Sequence, residues 1–376
     1  MFKLFCIPLI LLATLGFKAT HAAADEPSLA ILPAEIKLHG PAASHRLLVV
    51  GVKDDLFIGS PEEEVSLTSS DTNVVRIAGG VAIPVANGTA AITAKAGERQ
   101  ATCQVTVEAM DQPIQWSFRN HVEPVLAKYG CSTGACHGAL AGKGGFRLSL
   151  RGYDPVTDHH TITRQAGGRR IELNDPGRSM ILAKPSGAIP HKGGLRFEAG
   201  SPPYQVLVEW IGAGAPPPRE DDPRLSRLEV LPGQSVLSPG RKQQLIVRAH
   251  YSDGRVEDVT HWAKYTATNE AVAGVDDRGL VNVTGHGEGA VTAWFSSQIA
   301  VARISSPFPN KVADEVYAKA PRRNFIDELV LAKLKSLRLP PSLPCTDECY
   351  LKFSCVAADD LGCAKVACAI VDIAVD

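Results

Sequence analysis

The sequence predicts a multidomain chain in which two all-β sandwiches flank a mainly α domain. Three observations carry this expectation. Segments on either side of the middle repeat at one offset of 199 residues: "LAILPAEIKL" from Leu29 returns as "LEVLPGQSVL" from Leu228, and "GTAAITA" from Gly88 as "GEGAVTA" from Gly287. Between the copies, residues 113–219 abandon the period-two pattern for helical spacing. The composition, with 33 Gly and 26 Pro against 6% aromatic residues, suits short strands joined by many turns. With 376 residues, 45% hydrophobic and 21% charged, the chain has length for two or three cores. A net charge of −1 gives no bulk attraction to nucleic acid or an anionic membrane.

The N-terminus predicts export. Lys3 precedes the apolar run "LFCIPLILLATLGF" (Leu4 to Phe17), and "THAAADEP" offers small residues for cleavage after Ala22 or Ala24, so residues 1–24 read as a signal peptide. The run is shorter than the roughly 18 apolar residues of a membrane span, and no second one follows. A periplasmic or cell-surface protein without a transmembrane anchor is expected. Of nine cysteines, Cys6 leaves with the signal, Cys103 stands alone, Cys131 and Cys136 form a pair, and five lie between Cys345 and Cys368. Export permits such thiols to oxidise.

The β segments span residues 28–109 and 226–306. "RLLVVGV" (Arg46 to Val52) and "QQLIVRAHY" (Gln243 to Tyr251) are apolar, β-branched runs. Asp253-Gly254 is a strong hairpin signal in the second copy, whereas the first has "GVKDDLFIG" at that point. An immunoglobulin-like sandwich is the natural architecture, without the Cys…Trp…Cys spacing of antibody domains. Cys103 alternates with Val105 and Val107 and reads as a core residue.

The middle segment carries the chemistry. Trp116, Phe118, Val122, Val125, Leu126 and Tyr129 fall at helical spacing, with Pro124 tolerable in a first turn. Val206, Leu207, Trp210 and Ile211 form the apolar stripe of a second helix, stopped by "GAGAPPP". The first helix runs into Cys131, and Cys136 is followed at once by His137. Two thiols with an adjacent imidazole suit covalent haem attachment, in which the histidine becomes the proximal iron ligand. Four intervening residues, "STGA", replace the usual two, and Gly134 eases the longer loop. On spacing alone a disulfide across the pair stays open. A zinc corner lacks a second paired motif, and a redox dithiol lacks the βαβ context. His191, in a Pro/Gly loop before the last helix, is the candidate distal ligand, with Met180, His159 and His160 as alternatives. Together these features outline a cytochrome c-like haem domain. Among the basic residues here, Arg169, Arg170 and Arg196 are the candidate propionate contacts; Lys143, Arg147, Arg151, Arg164, Lys184 and Lys192 read as a solvated face.

The motifs also carry a resemblance. "YSDGRVEDVT" with "GLVNVTGHGEGAVTA" resembles the group 2 bacterial immunoglobulin-like domain. The succession "CSTGACHGALAGKGGFRLSLRGYDP", "PHKGGLRFEAGSPPYQVLVEWIGAGAP" and "NFIDELVLAKLKSLRLPPS" resembles secreted planctomycete-type proteins that join such domains to a cytochrome c-like haem domain. The resemblance implies haem c as cofactor, Cys131 and Cys136 as thioether attachments, His137 as proximal and His191 as distal ligand. It also implies that the helix in residues 311–340, capped by Asn324, opens a larger domain, so the chain reads as truncated relative to that family. Residues 341–376 match no zinc or iron–sulfur spacing and read as a truncated or frame-shifted continuation. The expected function is electron transfer through one bound haem, held at the cell envelope by the sandwiches, with an unidentified redox partner and no nucleic acid. No nucleophile elbow or phosphate loop points to an enzyme; an oxidase or peroxidase would require an iron position that His191 leaves open. The alternative is a structural or adhesive surface protein with a Cys131–Cys136 disulfide and no haem.

Overall fold

A computed structural model describes residues 26–342. The expected signal peptide and the cysteine-rich tail beyond Ser342 lie outside the described residues. The 199-residue repeat is visible strand by strand. In the first copy Glu35–His39, Arg99–Glu108, Gly88–Ala96 and Ser66–Ser69 pair in that order; in the second, Gln234–Val236, Gln298–Ser306, Gly287–Phe295 and Lys264–Ala267 do the same. Both copies also carry a cis Leu-Pro bond at the matched position, Leu32-Pro33 and Leu231-Pro232. Alternating burial along Gly88–Ala96 and Gly287–Phe295 shows one face of each strand turned to a core. The first core gathers Ile31, Ile36, Ile92, Val105 and the fully buried Cys103, whose thiol burial pushes up to about 12. The first copy makes its hairpin without the Asp-Gly pair. Asp54 and Asp55 both take positive φ, 50° and 60°, and turn Leu48–Lys53 into Leu56–Phe57.

The expected layout of separate sandwiches around a mainly α domain is corrected on three counts. Strand exceeds helix, 33% against 20%. The middle segment is mostly turns and loops around four short helices: α1 (Glu123–Lys128), α2 (Pro155–Thr163), α3 (Met180–Ala183) and α4 (Pro202–Gly212). Its glycines and prolines explain this, because positive φ at Gly142, Gly144, Gly145, Gly152, Gly167 and Gly168 breaks every attempt at a long helix. The segment also lacks a core of its own. Phe118, Leu126, Trp210 and Ile211 belong to one buried cluster with Val247, Tyr251, Trp262 and Ile304 of the second sandwich.

The two sandwiches are joined as well. One seven-stranded sheet runs from Ser28–Leu32 to Lys264–Ala267, crossing between copies where Phe57 pairs with Ser235. Leu48, Val50 and Ile246 are buried at this seam. Asp258 accepts the Arg46 backbone N–H at 2.7 Å, and Arg241 reaches Glu62 at 2.7 Å and the Ser60 carbonyl at 2.5 Å.

The middle segment is fastened to the second sandwich by His121, Asn120 and Lys128. His121 lies between the Trp116 and Trp262 rings, with centroids 5.1 and 5.6 Å away. Its Nδ1 accepts the Ser117 N–H at 3.0 Å, which leaves the hydrogen on Nε2, 3.5 Å from Glu257. Asn120 donates to the Pro223 carbonyl and Lys128 to the carbonyls of Ala263 and Asp277.

At the C-terminal end, α5 (Asp314–Lys319) and α6 (Phe325–Ser336) follow the second sandwich. Asn324 caps α6 as expected, accepting from the Ile326 N–H while Asp327 accepts from the Asn324 N–H. Along α6 Leu331 and Leu337 are buried, whereas Phe325 (73%), Ile326 and Leu329 are exposed. The helix docks through its C-terminal half, where Lys333 meets Glu288 and Phe308 donates to the Leu337 carbonyl.

Candidate functional site

The Cys131–His137 loop is shaped by local hydrogen bonding. Helix α1 ends in a left-handed glycine, Gly130 (φ 77°). Gly130 N–H donates to the Ala127 carbonyl and Cys131 N–H to the Leu126 carbonyl, the paired bonds of a Schellman stop. This places Cys131 against the core, buried, and burial raises its thiol to about 11. The loop then closes on itself, with His137 N–H donating to the Cys131 carbonyl and Gly138 N–H to the Thr133 carbonyl. A β-carbon at Gly138 would lie 2.3 Å from the Ser132 carbonyl oxygen, so only glycine fits. Cys136 is half-buried, and an Arg196 Nη2 lies 3.5 Å from its sulfur. Both cysteines are free thiols. The disulfide of the alternative reading is therefore not formed here.

His137 and His191, 54 positions apart in sequence, come together. Their rings are nearly parallel, 14° apart, with centroids 6.4 Å from each other. His137 Nδ1 lies 2.9 Å from the Phe146 carbonyl and His191 Nδ1 3.0 Å from the Gly194 carbonyl. A carbonyl only accepts, so each Nδ1 carries a hydrogen, and in the neutral ring Nε2 is then the atom with the lone pair. Burial holds His137 below the ordinary histidine value, which favours that neutral tautomer. Leu140 (84% exposed) and Leu195 (62%) follow the two histidines closely in sequence and stand open to solvent.

The remaining sequence candidates disperse. Arg170 is buried, its Nη1 donating to the Thr161 and Gln165 carbonyls and its guanidinium lying over the Phe146 ring at 4.4 Å. Arg169 is exposed, and Arg196 sits at Cys136. His159 bonds the Ala215 carbonyl and meets Phe118 edge-on, a packing role; His160 is exposed, and Met180 is half-buried at the start of α3. Arg151, assigned to the solvated face, stacks on Trp294 of the second sandwich at 3.4 Å.

Sequence reasoning missed the pair Glu123 and Asp158. Both are buried, at 4% and 0% exposure. Asp158 accepts from the Ser149 N–H and Oγ, each at 2.5 Å, whereas neither Glu123 oxygen meets an N–H or hydroxyl donor. Burial first, then the Asp158 charge, raise Glu123 well above the carboxylate range, so it stays protonated toward Asp158. An acid at the first position of a short helix is an ordinary helix-start residue, and nothing in its spacing signals burial.

The cytochrome-type assignment is corrected with the fold. The segment is not a mainly α domain, and among the described residues no group of three or more His, Cys, Asp or Glu side chains is placed to hold a metal ion. The electron-transfer role read from that fold therefore loses its structural basis. No helix among the described residues is long and apolar enough to cross a membrane. No family model matches the chain, and no curated protein matches it. Similar solved structures include the S-layer protein rSbsC(31-844), at 12% identity and TM-score 0.21, covering 77% of this chain and 28% of that one. Domains 5-6 of S-layer protein SbsC match at 12% identity and TM-score 0.28, covering 75% and 100%. The Yersinia pseudotuberculosis adhesin InvE matches at 12% and 0.15, covering 75% and 59%. This chain spans 28% of the length of the first. At such TM-scores the likeness carries no argument about arrangement or role.

Proposed function

We propose that this chain is an exported, β-rich structural protein of the cell surface, a stiff scaffold that presents the Cys131–His137 loop. The observation that supports it is the shared seven-stranded sheet, which ties two repeat units into one body instead of leaving them as beads on a linker. The test is made on intact cells of the native host. An antibody to residues 226–306 should label the surface or, after outer-membrane permeabilisation, the periplasm, and mass spectrometry should find an N-terminus after Ala22 or Ala24. Protein retained in the cytoplasm with Met1 in place refutes it.

A second reading concerns the loop's cofactor, and the facing imidazoles favour it. The two rings are nearly parallel with centroids 6.4 Å apart, and each Nδ1 is engaged by a carbonyl, so Nε2 is the atom each would offer to an ion. Haem c fits this donor set. His137 and His191 would hold the iron through Nε2, and Cys131 and Cys136 would form the thioethers. Leu140 and Leu195 would cover an apolar macrocycle, while Arg169, Arg170 and Arg196 would be the cations for its carboxylates. Bound haem would supply an iron centre; the chain supplies two imidazoles whose Nδ1 atoms are engaged by backbone carbonyls and two free thiols. Expression in an exporting host with a haem-maturation system tests this. One haem of added mass that survives denaturation is expected. A colourless product with a Cys131–Cys136 disulfide refutes the cofactor and leaves the scaffold reading standing.

A further inference from the structure

The His191 imidazole folds back over its own turn. Its Nδ1 donates to the carbonyl of Gly194, three residues on, and Gly194 N–H returns to the His191 carbonyl at 2.9 Å. Gly193 lies beneath the ring. A β-carbon there would stand 2.6 Å from Cε1, 3.0 Å from Nε2 and 3.2 Å from Nδ1 of His191, with no other atom among its nearest contacts. Its backbone lies outside the left-handed region, so the ring is the nearest obstacle an alanine would meet there. Gly194 is the opposite case: its φ is 73° and nothing lies within 4 Å of a β-carbon. One glycine serves the turn's backbone and the other serves the imidazole.

We infer that Gly193 is a positioning residue for His191: any side chain at 193 displaces the imidazole from its parallel alignment with His137. This deepens the cofactor reading and rests on it for the spectroscopic arm of the test. Because the flexible ring must yield, the backbone and the Cys131–His137 loop stay as they are. Gly193→Ala should therefore keep the covalent haem, held by Cys131, Cys136 and His137, while weakening the His191 bond.

The experiment compares wild type, Gly193→Ala, His191→Ala and the double variant, all as full chains loaded with haem. Wild type should be low-spin. Gly193→Ala should lose more than half of the low-spin signal and regain it with added imidazole, and the double variant should match His191→Ala alone. A Gly193→Ala spectrum equal to wild type overturns the inference while leaving the cofactor reading intact. If wild type takes up no haem, the cofactor reading fails and the apo arm decides the inference. In the apo chain a nuclear Overhauser contact between His137 and His191 ring protons should be present in wild type and lost in Gly193→Ala. Its persistence in the variant, or its absence in wild type, overturns the positioning role.

Discussion

His121→Ala tests the continuous core directly, because this side chain is the polar centre of the contact between the middle segment and the second sandwich. Alanine removes the acceptor of the Ser117 N–H and the Nε2 hydrogen that faces Glu257. Glu257 is left with Arg255, at 3.3 Å. Burial alone would raise the Glu257 carboxyl, yet the His121 hydrogen bond and the Arg255 charge hold it below the usual range. Losing one bond to a buried charge costs about 1.5–3 kcal/mol, discounted here because Arg255 remains. Losing the edge contacts to Trp116 and Trp262 adds about 0.5–1.5 kcal/mol. A net loss of roughly 2–4 kcal/mol follows, or a fall of roughly 5–15 °C in midpoint for a unit of this size. Urea unfolding at pH 7 gives the first number, and thermal unfolding the second. Tryptophan fluorescence reports from both sides of the contact. One transition should be shared by the middle segment and the second sandwich, and it should shift as a whole. Separate transitions for the two, or a loss under about 1 kcal/mol, would refute the continuous core.

Two further substitutions probe buried carboxyls. Glu123 binds its proton more tightly folded than unfolded, so stability falls as pH rises from about 4.3, its unfolded value, through the folded one. Glu123→Gln should abolish that fall and raise the midpoint at pH 8 more than at pH 4; equal effects at both would show that Glu123 is ionised in the folded chain. Asp258 is the reverse case: burial would raise it, but His45, Thr260 and the Arg46 N–H more than offset this, so its contribution is full above roughly pH 3.9 and is lost on acidification. Asp258→Ala should cost about 1–3 kcal/mol at pH 7 and loosen the seam, with faster proteolysis between the sandwiches; unchanged proteolysis would mean that the shared sheet suffices without it.

The repeat was the most legible feature, since a period-two pattern recurring at one offset marks matching strands in both copies, while their pairing is seen only in the fold. The hairpin of the first copy was hidden because Asp54-Asp55 adopts positive φ without the glycine that usually announces it. The middle segment misled through its helical spacing. Trp116, Phe118 and Val122 do recur as a helix face would, but they address a neighbouring sandwich instead of a bundle of helices. Composition could have warned of this, because a stretch so rich in glycine at positive φ cannot sustain long helices. Pairwise placement across the fold, such as Arg170 on Phe146 or Glu123 beside Asp158, depends on tertiary contacts that no local pattern encodes.

The cysteine–histidine loop stands apart from this division, and its hydrogen bonds say why. The bonds that close its turns span few residues: Gly130 to Ala127, Cys131 to Leu126, His137 to Cys131, Gly138 to Thr133, and His191 to Gly194; longer ones, from Leu148 to His137, Arg151 to Ser132 and Arg196 to Cys136, tie it to the rest of the same segment. A site made of such bonds does not depend on the surrounding domain being helical. The same loop on a β-sandwich keeps its thiols and its first imidazole in place, and the second sandwich holds the segment through Lys128 and Arg151 on either side of it. Overturning the α domain therefore leaves the loop's chemistry to be judged on its own geometry. What the sandwich adds is rigidity beneath the site, since Phe197 and Trp210 belong to the continuous core, whereas the His191 ring is held by its own turn. On that ground the decisive measurement is whether the two imidazoles stay parallel in solution.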